Sequence, residues 1–218
     1  MKPRSTMGYA VTMAATLTGL AACSQTAPVA PAPPVVAAPP SAAAAAPEVV
    51  EAAPAPSVVR TQDDVQIFSG PSDRETPEPA DPGAAAAVID LNATANDEIG
   101  LYVTDGTGRT LYRFDKDKRK PARSACTGKC ARMWPPLLVG SGGKVYPSGV
   151  NPQRVGYVER SGHDRQVTID GQPIYYFSRD SKRGDLNGQG VQGTWFAVGP
   201  DGGRTRNRTE VIEESDGN

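Results

Sequence analysis

The sequence predicts an all-β fold: a small compact β-domain of two pseudo-equivalent hairpin-plus-strand repeats on a disordered N-terminal tether. Three observations lead there. The aromatic residues are segregated: of the 68 residues from Cys23 to Asp90, 31 are Ala or Pro and only Phe68 is aromatic, whereas residues 91–218 hold eleven aromatics, including both tryptophans. Two segments of that second part repeat one another. After Gly100 no stretch shows the 3.6-residue apolar period of an amphipathic helix, while short β-branched and aromatic runs alternate with turn residues.

Residues 1–22 read as a signal peptide. Lys2 and Arg4 precede an apolar stretch from Gly8 to Ala22, which is too short to span a membrane. The segment ends Leu20-Ala21-Ala22-Cys23, which resembles a bacterial lipobox. Acylation of Cys23, with palmitate-type chains, would hold the protein on a membrane without a spanning helix. Ser24 rather than Asp after the cysteine favours the outer membrane, facing the periplasm or the cell surface.

Residues 23–95 read as the lipid-anchored Ala/Pro-rich linker. Its prolines, among them Pro33, Pro34, Pro39 and Pro40, favour extended chain, and its large apolar side chains are too few to offset the entropy of ordering. Ser57–Phe68 is the one patch that could dock, and the expectation is a solvated spacer. The β-domain is placed at 96–202, with repeats at about 99–139 and 165–200, and a polar C-terminal tail at 203–218.

Charge divides the chain in the same way. Residues 24–90 carry two basic and nine acidic side chains, whereas 91–218 carry nineteen and fifteen. A basic head thus follows an acidic linker. Arg113, Lys116, Lys118, Arg119, Lys120, Arg123, Lys129 and Arg132 fall close together and could form an anion-contact patch. An exported protein with no stacking residues interleaved among those charges is not expected to bind nucleic acid.

The repeat sets Leu101–Asp117 beside Val167–Asp180. Tyr112 aligns with Tyr175, Phe114 with Phe177, Asp117 with Asp180, and Asp105-Gly106 with Asp170-Gly171. A tryptophan follows each copy, Trp134 and Trp195. These coincidences, in the same order in both copies, point to duplication. Asp-Gly supplies the positive φ of a tight hairpin turn, and residues two apart share a strand face, so each Tyr and Phe pair is a core candidate. Each Asp should end its strand and accept loop N–H groups. The segments from Trp134 to Val139 and from Trp195 to Val198 read as a third strand per copy, about six strands in all.

These residues resemble a family of bacterial lipoproteins with a secreted repeat of unknown function, marked by Tyr-x-(Phe/Trp/Tyr)-x-x-Asp. Tyr112-Arg-Phe114-Asp-Lys-Asp117 and Tyr175-Tyr-Phe177-Ser-Arg-Asp180 both fit that pattern, with Cys126-Thr-Gly-Lys-Cys130 and Gly184–Gly190 as linked motifs. The resemblance implies a secreted or lipid-anchored β-rich protein. It implies no activity.

Catalytic chemistry finds little support. His163 is the lone histidine and lies in a polar turn, and no Gly-x-Ser-x-Gly elbow occurs. No enzymatic activity and no cofactor is expected. Asp185-Leu-Asn187-Gly-Gln189-Gly190 partly matches a calcium loop, but its twelfth place is Phe196 instead of Glu, so a Gly-rich turn is the better reading and no metal is expected. Cys126 and Cys130 are expected to form a structural disulfide, because export leads to an oxidising compartment. The alternative is a thiol-redox or copper-handling protein using both thiols. The main expectation is a non-catalytic binding or structural module that meets the membrane through its anchor and an anionic envelope polymer or envelope protein through its surface.

Overall fold

The computed structural model describes residues 55–73 and 82–206. The chain enters as a hairpin, β1 (Val58–Gln62) and β2 (Val65–Phe68), and continues through β3 (Ala85–Asn96), β4 (Gly100–Asp105) and β5 (Tyr112–Phe114). A short ribbon, β6 (Lys118–Arg119) with β7 (Ala122–Arg123), leads to helix α1 (Lys129–Met133). Then come β8 (Leu138–Ser148), β9 (Val155–Glu159), β10 (Arg165–Ile169), β11 (Gln172–Tyr175) and β12 (Trp195–Ala197). All but the ribbon form one sheet in the order β1-β2-β8-β10-β11-β5-β12, with β3 also on β8, β4 on β3 and β9 on β10. The all-β fold with two repeats is as the sequence predicts.

Register explains the duplication. Asp170 and Gly171 both have positive φ and close the β10–β11 hairpin as the Asp-Gly pair predicts. In the first copy the two extra residues make a wider loop. There Asp105 Oδ1 accepts the N–H groups of Thr107 and Arg109, and its Oδ2 pairs with the Arg109 guanidinium. The copies meet at β5 and β11, where Tyr112 stands directly opposite Tyr175. Bonds on either side of that point match. Leu137 N–H donates to Ile174 O at 3.0 Å and Val198 N–H to Leu111 O at 3.0 Å; Val103 N–H donates to Val198 O and Val167 N–H to Leu137 O, both at 2.9 Å. A local two-fold relation passes between the two tyrosines.

Five expectations need correction. Residues 23–95 are not linker throughout, for β1, β2 and β3 belong to the sheet, with Val65, Ile67, Ile89 and Leu91 buried. The cause is local alternation that a Pro/Ala average conceals: Val65 and Ile67, then Ile89 and Leu91, are pairs two apart that share one strand face. The hairpin also covers an edge. Gln62 Nε2 donates to Tyr157 O and its Oε1 accepts Tyr157 N–H, while Arg60 donates to Val155 O, so β1 side chains satisfy the outer backbone of β9. Second, the tail does not begin at 203: Arg204 bridges to Val198, and Thr205 is buried with its N–H on Ala197 O. Third, the described residues form twelve strands and not the expected six or so. Fourth, the short helix α1, Lys129–Met133, takes in Cys130 and ends against Trp134. Fifth, strand structure starts at Leu138 and not at Trp134, because Pro135 and Pro136 lack the N–H that a ladder needs; Pro136 makes only an isolated bridge with Tyr175.

Two apolar clusters form the core. One is mainly aliphatic and includes Val65, Leu91, Val103, Leu111, Val167 and Ile169, with Tyr157 and Tyr176. The other is aromatic and holds every tyrosine, phenylalanine and tryptophan of the repeat motif, together with Cys126.

Candidate functional site

The motif side chains converge where the repeats meet, and they do so crosswise. Tyr112 of the first copy donates its hydroxyl to Asp180 Oδ2 of the second at 2.7 Å; Tyr175 of the second donates to Asp117 Oδ2 of the first at 2.8 Å. The rings follow the same rule. Trp134 stacks on Phe177 at 4.1 Å, Trp195 stacks on Phe114 at 4.2 Å, and the tryptophans stack on each other at 3.8 Å with parallel planes. The result is a four-ring pile, Phe114–Trp195–Trp134–Phe177, in which each outer ring lies on the other copy's tryptophan. Tyr112 and Tyr175 meet the tryptophans of their own copies edge-on.

Each aspartate has a second task, the one the sequence predicts. Asp117 Oδ1 accepts Ala125 N–H at 2.7 Å, and Asp180 Oδ1 accepts Asn187 N–H at 3.2 Å. The carboxylates thus tie the loop after each strand to the partner repeat. Burial pushes the Asp117 carboxyl up to about 6, although the Ala125 N–H and the Tyr175 hydroxyl favour its ionised form. Burial likewise raises Asp180. Burial first, and then the carboxylate partner, hold Tyr112 and Tyr175 well above the usual phenol range, so both stay protonated donors. Gly188 is required here, since a Cβ on it would stand 2.6 Å from the Tyr112 ring.

Each of these loops also returns to the opposite hairpin turn. In the first copy Arg119 forms an ion pair with Asp170, and Gly171 is pressed so near Arg119 O that a Cβ would approach to 2.3 Å. In the second, Gly184 N–H donates to Gly108 O and the Arg183 side chain lies against Gly108. Arg119 is thus spent internally and leaves the predicted anion-contact patch, as does Arg113, which is partly buried and pairs with Asp115. Lys116, Lys118, Lys120, Arg123, Lys129 and Arg132 are exposed on the ribbon and α1, and among the described residues none of them forms an ion pair.

Cys126 and Cys130 are joined as a disulfide with Cα atoms 5.2 Å apart, and Cys126 is fully buried against the aromatic cluster. His163 lies exposed in the β9–β10 turn. Asp185 accepts N–H bonds from Ser181 and Lys182, and these hold its carboxyl below the usual range, so this loop closes on itself. Cys23 lies outside the described residues.

Comparison with known proteins agrees with this duplication. Residues 93–138 and 156–199 each match the model of a family described as a secreted repeat of unknown function. The domain therefore carries two copies of that repeat, and the resemblance read from the motifs holds. The second match begins at β9, earlier than the expected 165, because β9 pairs with β10 as the end of β3 pairs with β4. Neither curated proteins nor solved structures yield a match. Among the described residues no helix is long and apolar enough to cross a membrane.

Proposed function

We propose that this is a lipid-anchored cell-envelope protein that presents a non-catalytic binding module at the outer membrane, with anionic envelope polymer as partner. One observation carries the reading. The motif side chains are consumed in holding the repeats together, while six exposed cations on the ribbon and α1 have no ion-pair partner among the described residues. Arg or Lys left unpaired on a preformed, crosslinked loop is suited to contact a polyanion through steering and multiple weak contacts. The Pro/Ala-rich stretch after Cys23 would act as the spacer between anchor and module. The copper-handling alternative needs two free thiolates, and the thiol-redox alternative needs a disulfide open to attack; a bridge with Cys126 fully buried favours a structural crosslink instead.

Two measurements test this. Cys23→Ser should remove the protein from the membrane fraction; persistence there after carbonate washing would refute the anchor. The full chain should be retained on a polyanionic resin such as polygalacturonate and released by salt. Changing Lys118, Lys120, Arg123 and Lys129 to Gln should reduce the log–log salt slope of binding, and an unchanged slope would exclude the ribbon as the contact surface.

A further inference from the structure

We propose that a groove beside the aromatic pile binds a carboxylate-bearing sugar, one unit of the anionic polymer. This rests on the reading of the domain as a polymer-binding module and names the subsite and the chemistry recognised. The groove is an indentation of about 510 Å³ between α1 and the loop that follows the second motif. Small-ligand sites span about 300–1,000 Å³, so a sugar unit fits. Met133, Trp134, Phe177 and Val191 make an apolar floor, and Arg179, Asn187 and Gln192 make a polar rim.

The rim is available for a ligand. Arg179 is exposed and forms no ion pair among the described residues. Its counterpart in the first copy is Lys116, each standing immediately before the motif aspartate. Lys116 sits over the Phe114 ring with Nζ 6.0 Å from the centroid, whereas no ring lies under Arg179 among the described residues. Asn187 donates Nδ2–H to Asp180 Oδ1 at 3.1 Å and to Arg179 O at 3.4 Å, which orients the amide and leaves Oδ1 as an acceptor. Gln192 is held at φ 54°, ψ 19°, a left-handed conformation that glycine, as at Gly190 and Gly193, adopts without strain. Backbone strain kept at a polar residue on a groove rim is a sign of use.

The three features select one ligand class. A guanidinium takes a carboxylate through two parallel N–H bonds. Amides exchange hydrogen bonds with hydroxyls, and an apolar floor accommodates the C–H face of a pyranose ring. A bare phosphate would leave the floor unused, and a neutral hydrophobe would leave Arg179 unused. Lys129 and Arg132 are exposed on α1 at the opposite bank, so the field stays positive where a longer polyanion would continue.

Calorimetry on the full chain in detergent tests the site, with trigalacturonate, neutral maltotriose and inorganic phosphate as probes. Trigalacturonate should bind saturably and at least about tenfold more tightly than either other probe. Arg179→Ala should lower that affinity about tenfold with the melting temperature unchanged, since this side chain makes no ion pair among the described residues; Arg154→Ala, at an exposed cation that neither lines the groove nor belongs to the ribbon, should leave it as it is. Equal binding of maltotriose or phosphate, or an Arg179→Ala variant that binds normally, would overturn the proposal. Retention on polygalacturonate without trigalacturonate binding would remove the groove and keep the ribbon, whereas loss of both would remove the polymer reading altogether.

Discussion

The two repeats differ most in the loop that follows each motif aspartate. In the first copy that loop is a cationic ribbon, a helical turn and a disulfide; in the second it is a Gly-rich turn around Asp185. Yet both loops hang from the same pair of bonds, an N–H to the aspartate and a hydroxyl from the other copy's tyrosine. The contacts that join the copies are equivalent, and the surfaces they present are not. Duplication has preserved the fastening and let the exposed loops diverge.

That equivalence can be broken experimentally. The largest effect should come from the ring pile. Trp134→Ala and Trp195→Ala should each cost about 3–5 kcal/mol in denaturant unfolding, because both rings are buried and stacked on two others. Clearly unequal costs would show that one repeat dominates the core. A comparable loss is expected from Val65→Ala with Ile67→Ala, about 3–5 kcal/mol, since these side chains are 2% and 1% exposed. An unchanged melting temperature would return the β1–β2 hairpin to the linker.

The disulfide tests the asymmetric part. Cys126→Ala with Cys130→Ala should cost about 2 kcal/mol, the chain-entropy value for so short a ring. Thermal unfolding measures it, and hydrogen exchange should show the loosening confined to the first loop. Protection lost equally in both loops would contradict separate fastening.

A smaller effect concerns pH. Asp117 is raised in the folded state, so between pH 4 and 6 the native protein holds more protons than the unfolded chain. Stability from this group should therefore fall as pH rises through that window, by about 1–2 kcal/mol. Asp180 acts in the same sense. Asp64 opposes them: hydrogen bonds from Ser141 and Gly142 lower it to about 2, so its contribution is lost as pH drops below the usual carboxylate value. Asp117→Asn should flatten the decline between pH 4 and 6 in a melting series; an unchanged slope would mean the carboxyl titrates normally.

Much of this was legible in the chain. Aromatic residues two apart, Asp-Gly turns and the repeated aspartates indicate strands, hairpins and loop anchors, because each depends on neighbours in sequence. The crossing of Tyr112 to Asp180 and of Tyr175 to Asp117 was not legible, since both copies offer identical partners and local spacing cannot distinguish own from other. Arg119 looked like one more surface cation for the same reason: its partner Asp170 is 51 residues away. The β1–β2 hairpin was hidden because its apolar pairs are brief and lie inside a Pro/Ala-rich average. The groove depends on Met133 and Val191 meeting across two loops, and no sequence period marks that.

The central claim is that the repeats are fastened by exchange, and a pair of double-mutant cycles tests it most directly. Tyr112→Phe combined with Asp180→Asn should give a coupling energy of about 1 kcal/mol or more, while Tyr112→Phe combined with Asp117→Asn should be additive within about 0.5 kcal/mol. The mirror cycles with Tyr175→Phe should show the reverse, coupling to Asp117 and not to Asp180. Coupling of each tyrosine to the aspartate of its own repeat would contradict the account.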